Sequence, residues 1–367
     1  MNKKIKVLHM GCAYYPYQGG STQRLSALMR ECSKNIDFDF YLITKTTSED
    51  KIEDDKYFNE VIRGVNTDKI GFNKFIFNEV KRLRPDIVVT HNSRVLLNWI
   101  ALYGKLFPNI KIVNEIHSFR DETNTKRLLN KYLYSRVDAN IVLSRTANNY
   151  LKEKYSCKNS EIVFNGVSMN GFTKKSSKIY DKNSVTFSYI GTFHEWQGVL
   201  LLAEAIKGIE DSFLSKHTIN IVGDGPHLNN FKEIVKGKNI NIFGWMPKSK
   251  ADQVLYDSDY ILAPRLSTTG TETVVPLKVF ESIDTCTPII CTPVGGLKEM
   301  FEENHAAIFT KDISADSLRE IMLQPLDIGL YNDYIKKLES IKHQVPTWRN
   351  SANVYLSVFR SLIKFGK

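Results

Sequence analysis

Short apolar runs alternate with stretches in which apolar residues recur every three to four positions. In the first half, Lys6–His9, Asp39–Thr44, Ile87–His91, Lys111–His117 and Asn140–Leu143 read as strands. Helical periodicity lies between them, over Gln23–Lys34 and Lys74–Arg82. The second half repeats the rhythm. Its strand runs are Thr186–Ile190, Thr218–Val222, Ile240–Phe243, Asp259–Ala263 and Pro288–Cys291, separated by helical stretches at Leu200–Gly208, His227–Lys236, Lys248–Tyr256 and Leu277–Ile283. Such alternation predicts α/β architecture, with parallel sheets covered by helices on both faces. The polar stretch Asn165–Asn183 interrupts it and reads as a linker between two doubly wound, Rossmann-like domains. Expected boundaries are 1–168 and 169–346. The last segment, 347–367, holds a helix over Trp348–Phe365 with Ala352, Tyr355, Leu356, Phe359 and Leu362 on one apolar face.

The chain length of 367 residues fits two such domains. No apolar run approaches the ~18–20 residues of a membrane span, and the N-terminal segment reads as a first strand, not a signal peptide. The five cysteines are scattered without zinc-type spacing, which suits a reducing cytoplasm. The net charge of +10 favours an anionic partner, a nucleotide phosphate or an acidic membrane face. No aromatic-interleaved basic block is present, which argues against nucleic acid.

In open parallel sheets, ligands sit beyond the carboxyl ends of the strands, and two halves leave a cleft there. The candidate chemistry clusters at those positions. A small polar loop, Arg265 to Val275, leads into a helix at Pro276, whose first-turn amides and dipole suit a diphosphate. Lys278 adds charge in that first turn. Glu281, one turn on, is suited to accept from a ribose diol. Gly191-Thr192, Gly223 and Trp245 follow three further strands, the glycines for close approach and the indole for a base. Gly19 and Gly20 precede a helix near Ser21. His117 ends a strand, as does His91 with a weaker case. No P-loop, HExxH or Ser-His-Asp sequence signature is present.

Taken in order, Gly19-Gly20, Glu115-x-His117, Asn165-Gly-Val167, Gly191…Gln197-Gly198, Gly223-Asp-Gly-Pro226, Phe243-Gly244, Pro276-Leu-Lys…Glu281 and Thr292-Pro-Val-Gly-Gly-Leu-Lys-Glu299 resemble the family-4 type of GT-B glycosyltransferases, over nearly the whole chain. The resemblance implies two Rossmann-like domains facing a cleft and a last helix crossing back onto the first. It implies a metal-independent, retaining transfer from a UDP- or GDP-linked sugar, with no cofactor, to a sugar or lipid-linked sugar acceptor. The donor would be held mainly by the second domain and the acceptor by the first. Glu281 would hold the ribose. Lys278, Pro276 and Leu277 would meet the diphosphate or donor sugar, with Gly19 and Gly20 near the phosphates and His117 near the reacting sugar.

Three positions depart from the family pattern. Thr192 and Gln197 stand where the family often has an arginine and a lysine, which makes Arg265 and Lys278 the substitute cations. The first of the family's paired glutamates falls at Thr273, with Glu272 one position off. The competing readings are a nucleotide-sugar epimerase of the same fold and a non-catalytic partner. Relatives often build cell-surface polysaccharide on lipid-linked acceptors. The segment Lys126-Arg-Leu-Leu-Asn-Lys131 would then suit peripheral attachment to the inner face of the membrane.

Overall fold

In the computed structural model, residues 3–12, 14–15, 19–44, 53–63, 69–91, 93–167 and 180–364 are described. They divide into two compact units, Met1–Gly166 with Pro346–Lys367, and Val167–Val345.

The first unit is built on a seven-stranded sheet in the order β3-β2-β1-β4-β5-β6-β7. Its strands are β1 (Ile5–Met10), β2 (Phe38–Thr44), β3 (Glu60–Arg63), β4 (Ile87–Thr90), β5 (Lys111–Ile116), β6 (Ala139–Val142) and β7 (Ser160–Ile162). Every pairing is parallel. The central strands are buried on both faces. Val88, Val89, Ile141 and Val142 are wholly inaccessible to solvent, and burying a side chain of this kind contributes about 1.5–3 kcal/mol. The expected strands lie within a residue or two of the observed ones. The sequence reading missed β3 and β7, which are the two outer strands. Their half-exposed, polar-rich sequences, EVIR and SEI, carry no apolar run. It left the helix Arg145–Tyr155 unassigned and gave no bounds to the helix expected near Lys126–Lys131, which spans Asn124–Ser135; the two begin at side-chain caps from Ser144 and Thr123.

The second unit carries a six-stranded parallel sheet in the order β10-β9-β8-β11-β12-β13. These are β8 (Thr186–Ile190), β9 (Thr218–Val222), β10 (Asn241–Gly244), β11 (Tyr260–Ala263), β12 (Ile289–Cys291) and β13 (Ile308–Phe309). Its core gathers Phe187, Tyr189, Phe193, Leu202, Ile206, Phe231 and Leu262. The helix expected at Pro276 spans Leu277–Thr285, with Pro276 as its N-cap.

The C-terminal helix, Trp348–Lys364, belongs to the first unit and packs beside the Gly20–Cys32 helix. Tyr355 and Phe359 are buried on its inner face. The unit divisions fall at 166/167 and 345/346, where the sequence reading expected changes at 168/169 and 346/347. Most of the expected linker, 168–179, and Phe365 lie outside the described residues. All five cysteines are buried free thiols. Among the described residues, no helix is long and apolar enough to cross a membrane.

Candidate functional site

Within the second unit, the loops after β8, β9 and β11 and the Leu277–Thr285 helix meet at one end of the sheet. Gly191 follows β8 and donates its N–H to the Val222 carbonyl at 3.0 Å. Gly223 continues β9 with φ +132°, and a Cβ there would overlap the Gly191 carbonyl oxygen. Gly191 in turn leaves room for Lys278, whose Nζ would lie 3.2 Å from a Cβ at that position. The glycines therefore let the two loops close on each other and on the lysine.

Lys278 is only 6% exposed, and among the described residues Nζ has no hydrogen-bond partner. It sits 4.4 Å from the centre of the Tyr189 ring, whose π face partly offsets the charge. Burial, with the positive charge of Arg265, lowers its pKa to about 7. Arg265 is equally buried. One terminal nitrogen donates to the Val274 carbonyl at 3.0 Å, while Nε has no partner. Burial lowers its pKa to about 10, so it is charged at neutral pH. The Tyr189 hydroxyl, pushed up by burial, donates to the Thr192 carbonyl at 2.9 Å. Arg265 and Lys278 thus share this end of the sheet with no ion-pair partner among the described residues, Glu272 and Glu281 acting on them only at longer range. Burying a charge is costly unless it is paired.

The neighbouring acids are engaged elsewhere. Glu272 Oε2 accepts from the Gly295 N–H at 2.6 Å, at the start of the Gly295–Phe301 helix, and Oε1 accepts from the Ser267 hydroxyl at 2.7 Å. Thr273 turns its hydroxyl onto the Thr269 carbonyl at 2.7 Å. Glu281 is half-buried and ion-paired to Lys248 at 2.8 Å. Pro276 and Leu277 are half-buried at the helix start. Trp245 is exposed beyond β10, and Trp196 stacks on His194 at 4.3 Å.

A second polar cluster lies in the first unit. Gly19 is the buried N-cap of the Gly20–Cys32 helix, and Gly20 is exposed in its first turn. One turn on, the same helix buries Arg24. Its Nε donates to Glu115 Oε1 at 2.8 Å, and its other nitrogens reach Asn165 and the carbonyls of Val163 and Phe164. Tyr355 of the C-terminal helix donates to Glu115 Oε2 at 2.5 Å. Burial would raise the Glu115 carboxyl, but Arg24, His91 and His117 together outweigh it and hold it well below the usual carboxylate range. His117, two residues on, retains 21% side-chain exposure, with Nε2 3.5 Å from Glu115 Oε1. Burial holds its pKa below the ordinary histidine value. Ligand-type atoms of His91, Glu115 and His117 lie within 4.8 Å of one another. The set is a poor cation cage, because Arg24 and Tyr355 already take both oxygens and the guanidinium repels a metal.

The sequence singled out Arg265 and Lys278, and the structure gathers them with Gly191, Thr192 and Gly223. It places Glu281 one turn from Lys278 and Trp245 apart on the surface. Arg24, Tyr355, His9 and Tyr189 were missed, because none stands in a recognisable motif.

Comparison with known proteins joins the two units to one description. The profile of glycosyl transferases group 1 matches residues 184–327, and that of glycosyltransferase family 4 matches residues 18–170. The chain is a GT-B glycosyltransferase of the family-4 type. This glycosyltransferase is 24% identical over 336 residues to the uncharacterized glycosyltransferase MJ1178 of Methanocaldococcus jannaschii, covering 87% of this chain and 88% of the relative. It is 30% identical over 132 residues to the putative teichuronic acid biosynthesis glycosyltransferase TuaC of Bacillus subtilis, covering 36% and 30% of the two chains. Among solved structures, Anabaena Alr3699/HepE in complex with UDP and glucose superposes with a TM-score of 0.76 at 13% identity, over 97% and 100% of the chains. A glycosyltransferase from Rickettsia africae gives 0.75 at 16% identity, over 98% and 99%. These likenesses establish the shared fold.

Proposed function

We propose that this glycosyltransferase moves a sugar from a nucleoside-diphosphate sugar, UDP- or GDP-linked, to an acceptor hydroxyl, with retention of configuration and without a metal. The observation that carries this reading is the buried pair Arg265 and Lys278, whose Nε and Nζ find no hydrogen-bond partner and which form no ion pair among the described residues. A diphosphate supplies the missing charge. As the anomeric bond breaks, negative charge grows on that diphosphate, and both cations hold it more tightly than they hold the ground state. Removing one such donor costs about 2.7–4 kcal/mol of barrier when it acts as an oxyanion contact does. The acceptor proton passes to a phosphate oxygen, so no protein nucleophile is required. Glu281 holds the ribose, exchanging its contact with Lys248 for the diol. His117 meets the reacting sugar. Gly19 and Gly20 let the first helix approach the phosphates. The segment Pro276-Leu277-Lys278…Glu281 marks the variant of the family in which a lysine and an arginine replace the usual cations.

The product belongs to cell-surface polysaccharide or glycolipid synthesis, in line with the name of the Bacillus subtilis relative. The acceptor is then lipid-linked and the protein works at the inner membrane face. The Asn124–Ser135 helix supports this placement. Leu128, Leu129 and Tyr132 are 64%, 41% and 49% exposed, in a segment that also carries Lys126, Arg127 and Lys131. Exposed apolar residues beside lysine and arginine suit an anionic lipid surface.

Calorimetry with UDP and GDP tests the donor assignment. Glu281→Ala should abolish binding of the preferred nucleotide, whereas Glu303→Ala should leave it intact. Unchanged binding in Glu281→Ala removes the ribose assignment, and failure of every nucleoside diphosphate to bind removes the whole reading.

A further inference from the structure

Within the first unit, three imidazoles stand in line. His9, in β1 and fully buried, places Nδ1 3.1 Å from His91 Nε2. His91 places Nδ1 2.9 Å from His117 Nε2. Each junction of two ring nitrogens needs one N–H and one bare nitrogen. Burial keeps the first two rings neutral, with the His9 pKa lowered to about 3 and that of His91 to about 4. Only two neutral arrangements satisfy both junctions. In the first, His9 and His91 each carry the proton on Nδ1, and His117 receives at Nε2 and carries its own proton on Nδ1. In the second the direction reverses, and His9 is left with its proton on Nε2.

The far end of the chain decides between them. Among the described residues, buried His9 Nε2 has no partner, and its ring lies against those of Phe40, Phe58 and Tyr355. A stripped N–H there forfeits a full hydrogen bond to water, while a bare nitrogen forfeits less. Glu115 does not decide between them, because Oε2 lies 3.9 Å from His91 Nδ1 and Oε1 3.5 Å from His117 Nε2, and Tyr355 and Arg24 already take the two oxygens. The first arrangement wins on these terms.

We propose that His91, backed by His9, is a positioning residue that holds His117 in its Nδ1–H tautomer. His117 then turns a hydrogen-bond donor, not a base, toward its ligand. Among the described residues, its Nδ1 has no partner, which leaves that edge for an oxygen of the bound sugar. The use of this donor rests on the glycosyl-transfer reading, whereas the tautomer itself does not.

Nitrogen-15 NMR of the ligand-free protein at pH 7.5 reads the tautomer directly. The wild-type spectrum should show His117 protonated on Nδ1 and bare on Nε2. His91→Phe keeps a ring in place but leaves Glu115 as the neighbour of His117 Nε2, so the proton should move to Nε2. Turnover should then fall about tenfold, the worth of one hydrogen bond, with the KM for donor unchanged. His9→Phe leaves the His91–His117 contact intact and should keep the wild-type tautomer. A wild-type His117 carrying its proton on Nε2, or a tautomer that does not change in His91→Phe, overturns the proposal. The wild-type spectrum decides even if His91→Phe does not fold. Nucleotide binding, measured by calorimetry in parallel, reports separately on the glycosyl-transfer reading.

Discussion

Replacing Lys278 with methionine should stabilise the ligand-free protein at neutral pH and flatten its stability above pH 7. Met retains much of the stem and removes the ammonium. In the folded chain burial lowers the Lys278 pKa to about 7, against 10.5 for an ordinary lysine. Between those two values the unfolded chain binds one more proton than the folded one. Stability therefore rises with pH across the window, by about 1.4 kcal/mol per pH unit for a single group. From pH 7 to pH 9 this amounts to about 2–3 kcal/mol. Below pH 7 the folded protein carries the buried charge at full cost. Urea unfolding of wild type and Lys278→Met at pH 7 and pH 9 isolates the effect, because every other group titrates alike in both. The difference between the two proteins should shrink by about 2–3 kcal/mol over that interval. Equal pH slopes would refute the burial argument. Binding of a nucleoside diphosphate should recharge the lysine, so calorimetry at pH 8 in buffers of different ionisation heat should register proton uptake in wild type and less in Lys278→Met.

Arg24→Met leaves Glu115 as a buried, unpaired carboxylate, and denaturant unfolding should show a loss of about 3–5 kcal/mol. Tyr355→Phe deletes one hydrogen bond to that carboxylate and should cost about 1.5–3 kcal/mol by the same measurement. His9 and His91 stay neutral when folded but take up protons when unfolded below pH 6.5. Stability should thus fall as the pH drops, by about 2 kcal/mol per ring at pH 5, and less steeply in His9→Phe; a thermal melt series checks this. Gly223→Ala meets both a positive φ and the Gly191 carbonyl, and its melting temperature should drop by an amount equivalent to more than about 1 kcal/mol. Sedimentation with anionic vesicles should weaken in Leu128→Asp and at high salt if the Asn124–Ser135 helix docks on lipid.

The alternation of strands and helices was legible because parallel strands buried on both faces are spelled in continuous apolar letters, as in Ile87-Val-Val-Thr90. The outer strands β3 and β7 are not spelled that way and went unseen. At the site, the charge of Lys278 and Arg265 was visible, but their burial was not. It depends on Tyr189 and Gly191 arriving from another strand. The acids were harder still. Glu272 looked like a displaced family glutamate, yet one of its oxygens serves a neighbouring helix start and the other the Ser267 hydroxyl. Arg24 and Glu115 lie 91 positions apart, and Tyr355 lies 240 positions beyond Glu115. Pairings at such range follow from the fold, and no local pattern announces them.

The hydroxyl that Tyr355 lends to Glu115 sets an order of events during synthesis. Chains fold from the N-terminus as they emerge from the ribosome. Here the first unit leaves the exit tunnel with its carboxylate and the flank of the Gly20–Cys32 helix uncovered, and both stay so while residues 167–345 are made and folded. The half translated first is therefore the half completed last.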